Sequence, residues 1–128
     1  MKLERAWALV ERAVEAGQAQ NVKVAVAVVD AGGNQIAGAR MDGAGFLALA
    51  SAIKKARTAA TLGHSTQAIA TMASKDPIMQ SALTGQPEML LLAGGVPLTD
   101  GDELVGAIGV AGAHYLQDQA IADFAVAG

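Results

Sequence analysis

Residues 94 to 112 read GGVPLTDGDELVGAIGVAG. A stretch this rich in glycine is either a phosphate cradle or the turns of a sheet. A phosphate-binding loop needs Gly-Lys-Ser/Thr between a strand and a helix. This stretch has no lysine, and its acids Asp100, Asp102 and Glu103 repel phosphate. The segment GAIGVAG (106–112) lacks GxGxxG spacing and stands at the end of the element order. The sheet reading therefore holds. Asp100-Gly101 lies between two apolar runs and signals a hairpin, because glycine tolerates positive φ. Gly94-Gly95 before Val96-Pro97 marks a bulge or a sharp strand entry. Gly106 and Gly109 leave room for another backbone or a flat ligand.

Working outward, VKVAVAVVD (22–30) alternates valine on one face with Ala25, Ala27 and Val29 on the other. Both faces are apolar, which predicts a central strand covered on both sides. AGGN (31–34) is a turn, with Asp30 as its cap, and NQIAGARMD continues as the partner strand. Residues 3–16 place Leu3, Ala6, Trp7, Val10, Ala13 and Val14 at helical spacing, with Gly17 as the stop. Helices are predicted over 43–63, ending at Gly63, and over 65–74, with Ser65 as N-cap. Residues 75–88 form a short helical or irregular connection. MLLLAGGVPL (89–98) and GDELVGAIGV (101–110) read as strands with glycine breaks. The last segment, 115–128, reads as a helix burying Leu116, Ala120, Ile121 and Phe124. The order is helix, two strands, two helices, about three strands, helix. Hairpin-joined strands give an antiparallel sheet with helices on both faces, an α+β fold in one domain spanning 1–128.

Composition narrows the function classes. The 128 residues are 52% hydrophobic with only four aromatics, so the core is built of Ala, Val, Leu and Ile. Small side chains favour close packing, including packing between identical subunits, and a homo-oligomer is expected. There is no cysteine, hence no disulfide, thiolate metal site or cysteine nucleophile. The net charge of −3 with no basic patch argues against a nucleic-acid partner. No apolar run approaches the ~20 residues of a membrane span, and the N-terminus lacks the apolar core of a signal peptide. A cytoplasmic protein without a membrane partner is expected.

Several motifs together resemble the GlcG/HbpS-like family, the haem-degrading-domain proteins, which also takes in the C-terminal domain of PduO. They are VAVVDAGGNQIAGARMD, RMDGA, the KAxTA helix at Lys55–Ala59, the GG-V-P hairpin, VGAIGVAG and the QD of the last helix. The resemblance covers the whole chain. It implies a profilin-like α-β-α fold, a five-stranded antiparallel sheet with helices on both faces, and symmetric oligomers. It also implies haem or corrinoid-related binding in some members. The chain departs from the family's V-S-G-G ending with Ala111, Gly112, Ala113 and His114, and haem ligation varies among members.

The candidate chemistry follows from few residues. His64 and His114 are the only histidines. Either is a candidate haem axial ligand, and His114, at a strand end before the last helix, is also a candidate acid/base. Lys55 and Arg57 are candidate anion partners for a carboxylate or propionate. Two apart on one helix, they do not face the same way. Asp118 falls in the first turn of the last helix, where the dipole favours an acid, and is a candidate general base. Gly95, Pro97, Gly109 and Gly112 are expected to line a cleft. The leading expectation is a module binding haem or another small planar or carboxylated ligand there. The alternatives are an enzyme of isomerase or lyase type (or haem degradation) on a small oxygenated metabolite, and a non-catalytic accessory subunit.

Overall fold

The computed structural model describes all 128 residues. Its centre is β1 (Ala25–Asp30), which pairs on one side with β2 (Gln35–Arg40). On its other side runs β4 (Glu103–Ala111), itself paired with β3 (Gly95–Asp100). The sheet order is β2-β1-β4-β3, antiparallel throughout. Gly101, at φ +59°, takes the first of the two loop positions between Asp100 and Glu103, where a type II′ hairpin needs a positive φ. The helices are α1 (Leu3–Ala19), α2 (Phe46–Leu62), α3 (Thr66–Ser74), α4 (Pro77–Thr84) and α5 (Tyr115–Ala127).

The two sheet faces differ in kind. Val24, Val26, Val28, Ile108 and Val110 pack with α1 and α5 in the main core. Each such fully buried side chain contributes roughly 1.5–3 kcal/mol. The other face is nearly all small, with Ala25, Ala27, Ala107, Gly109 and Ala111, and it packs against the alanines of α2. Small against small brings the α2 backbone onto the sheet. A Cβ at Gly109 would run into the Ala52 carbonyl and lie 2.7 Å from the Ala56 nitrogen. The close approach that the glycine spacing signals is thus another backbone.

Three expectations change. The sheet has four strands, where the family resemblance implied five and the sequence reading about five. Residues 89–94 form no strand: Gly94 accepts the Val110 N–H through its carbonyl (2.8 Å), but two amides of the segment go to side chains. Leu90 N–H donates to Thr58 Oγ1 (2.9 Å) and Gly94 N–H to Gln119 Oε1 (2.9 Å). Next, Gly17 does not stop α1. It is buried against Met41 and Val24, and the chain leaves the helix at Asn21, whose φ is +55°. Finally, α5 buries Asp118 and Gln119 with Ile121, while Leu116, Ala120 and Phe124 are exposed. The polar pair turns inward because two buried groups need partners there, as the site shows. No helix is long and apolar enough to cross a membrane.

Candidate functional site

The inner face of α2 carries Ala48, Ala52, Ala56 and Ala59, and at helical spacing among them stands Lys55. A lysine here has no water to meet. Its stem runs past the end of the sheet, and Nζ donates to the Val110 carbonyl (2.9 Å) and to Asp118 Oδ2 (3.1 Å). The two side chains are 1% and 2% exposed. The other Asp118 oxygen, Oδ1, accepts the Ala113 N–H at 3.0 Å. Gly94, at φ +130°, makes the space: a Cβ there would sit 2.8 Å from Nζ. Beside it, Gly95 N–H donates to Thr66 Oγ1 at 2.8 Å. A protonated lysine has three N–H donors, and protein groups take two of them.

Burial dominates the electrostatics. Desolvation lowers the Lys55 pKa from its ordinary 10.5, opposed by the charge and hydrogen bond of Asp118. Desolvation raises the Asp118 carboxyl above 3.8, opposed by Lys55 and the Ala113 amide. Each group is moved towards its neutral form, as low-dielectric surroundings require.

The pair forms the floor of a cleft of about 310 Å³, with Leu47, Ser51, Leu92 and Gly112 in its walls. Leu92 is also a wall of a second depression of about 450 Å³, lined by Leu91, Tyr115, Leu116 and the outer face of α3. Leu92 is therefore a ridge between two hollows. The rim is apolar and open, with Leu47 at 67% exposure and Leu116 at 54%.

Of the residues singled out in the sequence, Lys55, Asp118 and Gly112 meet in this cleft. The others lie elsewhere. Gly95 and Gly109 sit under α2, where a Cβ would strike the Lys55 and Ala52 carbonyls. Pro97 is on the edge strand β3, opposite Ala107. Arg57 donates to the Gly33 carbonyl (2.9 Å) and Glu88 (2.7 Å) and lines a separate hollow by the first hairpin. His64 follows Gly63, the C-cap of α2. At 1.5 Å per helical residue it is about 20 Å along the axis from Ser51. His114 caps α5: its Nδ1 accepts the Leu116 N–H at 3.2 Å, and its ring lies 4.2 Å from that of Tyr115. Ser65 serves as the N-cap of α3, its side chain accepting the Ala68 N–H. No group of three His, Asp or Glu side chains is placed to hold a metal ion. Sequence reasoning passed over Leu47, Ser51, Leu92 and Gln119. Only Gln119 had a signal, as a polar residue beside Asp118 on a helix assumed to bury its apolar side.

A family model described as haem degrading protein HbpS-like matches residues 1–127. The chain belongs to the HbpS-like family. Among curated relatives, this HbpS-like protein is 33% identical over 117 residues to an uncharacterised 15.0 kDa protein in the dhaT-dhaS intergenic region of Citrobacter freundii, covering 90% of this chain and 82% of that one. It is 33% identical to protein GlcG of Escherichia coli K12, over 84% of this chain and 78% of the relative. Among solved structures it resembles a double mutant of Streptomyces reticuli HbpS, at 37% identity and TM-score 0.90, covering 99% and 85% of the two chains. It also resembles a complex of PduOC with haem, at 28% identity and TM-score 0.92, covering 99% and 93%.

Proposed function

We propose that this HbpS-like protein binds a planar, carboxylated ligand of the haem class across the Leu92 ridge. The observation that carries this reading is the buried Lys55 amine at the floor of an apolar-walled cleft that adjoins a second apolar groove. Leu91, Leu92, Tyr115 and Leu116 would hold the face of a macrocycle, at roughly 25 cal/mol per Å² of apolar surface covered. Lys55, with one N–H not taken by protein groups, would be the partner for a carboxylate arm in the cleft beside Gly112. The family's description and the haem complex of PduOC support haem as the ligand.

The residues present fit a macrocycle face and a carboxylate. They place no imidazole in the cleft itself. His114 is the imidazole beside the groove, through its stacking on Tyr115. Because its Nδ1 accepts an amide proton, the neutral ring carries its own proton on Nε2. Iron at Nε2 would require the opposite tautomer and loss of the helix cap. Bound haem supplies a redox-active iron; the protein's residues hold the ligand, orient its carboxylate and exclude water from one face. The exposed apolar side chains Phe46 and Ile78, at 87% and 84%, support a homo-oligomer as the working form. Light scattering that gave a monomer at micromolar concentration would remove that part of the reading.

The test is a haem titration followed by absorbance, on wild type, His64→Ala, His114→Ala and Leu92→Glu. The expected result is saturable binding, unchanged in His64→Ala and weakened by about tenfold or more in Leu92→Glu, a loss of at least ~1.4 kcal/mol. An absorbance change no larger than that with an unrelated acidic protein, or full binding by Leu92→Glu, refutes it.

A second reading is favoured by one observation: Lys55 Nζ and Asp118 Oδ2 lie 3.1 Å apart and buried at the floor of the cleft, where desolvation favours the neutral form of each. A pair of that kind suits acid–base chemistry of isomerase or lyase type on a small oxygenated metabolite. It predicts exchange of the hydrogen beside a carbonyl when small 2-oxo acids are incubated with the protein in deuterated water. Exchange no faster than buffer alone, or equally fast in Asp118→Asn, removes it.

A further inference from the structure

The cleft floor holds one cation and one anion, Lys55 from α2 and Asp118 from α5. The other groups facing the pair are the Val110 carbonyl from β4, the Ala113 amide from the turn, and Gly94 where β3 begins. His114, at the start of α5, is the one further titratable side chain that acts on Asp118. The remaining walls are neutral, with Ser51 the one hydroxyl. The charge there is balanced before any ligand arrives. A carboxylate entering this site sets two anions against one buried cation, and the pair is buried enough that their repulsion is weakly screened. Two carboxylates in such a place do not both stay ionised.

We infer that the cleft takes a small carboxylic acid as a carboxylate plus one proton, the proton being held between Asp118 and the ligand. This rests on the reading of the cleft as a carboxylate site and names its ligand class and its proton linkage. The volume of about 310 Å³ admits a small acid or one arm of a larger molecule. Asp118 is suited to the role because it lines the cleft beside Lys55 and is buried, and its burial disfavours the charged form, while its bonds to Ala113 and Lys55 hold it in place. The binding step consumes one ligand anion and one proton, and no covalent bond changes.

The experiment is calorimetric titration of the intact protein with benzoate in two buffers of different ionisation enthalpy. The expected result is uptake of one proton per benzoate bound, with Kd rising about tenfold per pH unit near neutrality. Asp118→Asn removes the group that takes up the proton, so its infrared difference spectrum on adding benzoate shows no protonated carboxylic acid. Should that variant fail to fold, the infrared difference spectrum of wild type on adding benzoate serves instead; it must show a protonated carboxylic acid. Binding without proton uptake, no protonated-acid band, or no saturable benzoate binding overturns the inference. The haem titration is read separately. Haem binding without proton-linked benzoate binding defeats this inference alone, and the reverse result defeats haem alone.

Discussion

Replacing Lys55 with methionine keeps most of the side-chain volume and deletes the charge. Asp118 is then a buried anion whose remaining partner is the Ala113 amide, and the Val110 carbonyl loses its donor. Removing one member of a buried pair destabilises by about 3–5 kcal/mol. Total stability of a domain is about 5–15 kcal/mol, so the loss is a large share. The pH dependence has a definite sign. Without Lys55, the main influence lowering the Asp118 pKa is gone and burial raises it further above 3.8. The folded state then binds more protons than the unfolded state between the two pKa values. Stability is therefore retained below the unfolded value and lost as pH rises through the folded one. Lys55→Met should lose about 3–5 kcal/mol at pH 8 and clearly less at pH 5. The double variant Lys55→Met/Asp118→Asn removes the stranded charge but keeps an acceptor for Ala113. It should regain most of the loss at pH 8. Urea unfolding of the three proteins at both pH values measures this. A pH 8 loss under about 1 kcal/mol, or a loss that grows towards pH 5, would show that the pair does not behave as a desolvated unit.

Three other perturbations probe the frame around the site. Gly109→Ala drives a Cβ into the α2 backbone, which cannot rotate aside, and should destabilise by about 3 kcal/mol; thermal unfolding reads it, and an unchanged midpoint would mean α2 sits farther out. Gln119→Leu strands the buried Gly94 amide and should lower stability by about 1–3 kcal/mol, with faster hydrogen exchange at Gly94 as the local signature. Asp30 accepts amide protons from Gly32 and Asn34, and the Asn34 backbone hydrogen bond leads in holding its pKa below 3.8. Its contribution is present above 3.8 and lost as pH falls through the folded value, so the acid-unfolding curves of Asp30→Ala and wild type should converge at low pH.

The elements that were legible in the sequence are those whose local chemistry is decisive. The alternation in 22–30 put Val26 and Val28 on one face and Ala25 and Ala27 on the other, as the core clusters have them. Asp100-Gly101 gave the hairpin, and Ser65 caps α3 through the Ala68 amide. The apolar run Met89–Ala93 misled because hydrophobicity alone cannot distinguish a strand from a segment held by side chains. Thr58, 32 residues away in sequence, takes the Leu90 amide, and Gln119, 25 residues away, takes the Gly94 amide just past the run. Pro97 adds a local reason. Gly95 N–H points off the sheet edge to Thr66, so the position two residues on faces the same way. There Pro97 has no N–H to offer a fifth strand.

The site was half legible for a related reason. Lys55 on an alanine face is anomalous by period alone, since a lysine among Ala48, Ala52, Ala56 and Ala59 must either break the packing or find an anion inside. The sequence held the anion too, but it carried a sufficient explanation of its own, because an acid in the first turn of a helix needs no partner. Only the burial of Asp118 removes that explanation: the helix dipole favours an acid at this position but does not require it to lie 2% exposed. The inward turn of Asp118 and Gln119 then forces Leu116 and Phe124 outward on the same helix. The apolar groove beside the cleft is thus a consequence of the buried pair. The groove and the buried charge at this site follow from one choice of helix face, which also buries Ile121, Ala122 and Ala125 and brings Asp118 to Lys55 and Gln119 to the Gly94 amide.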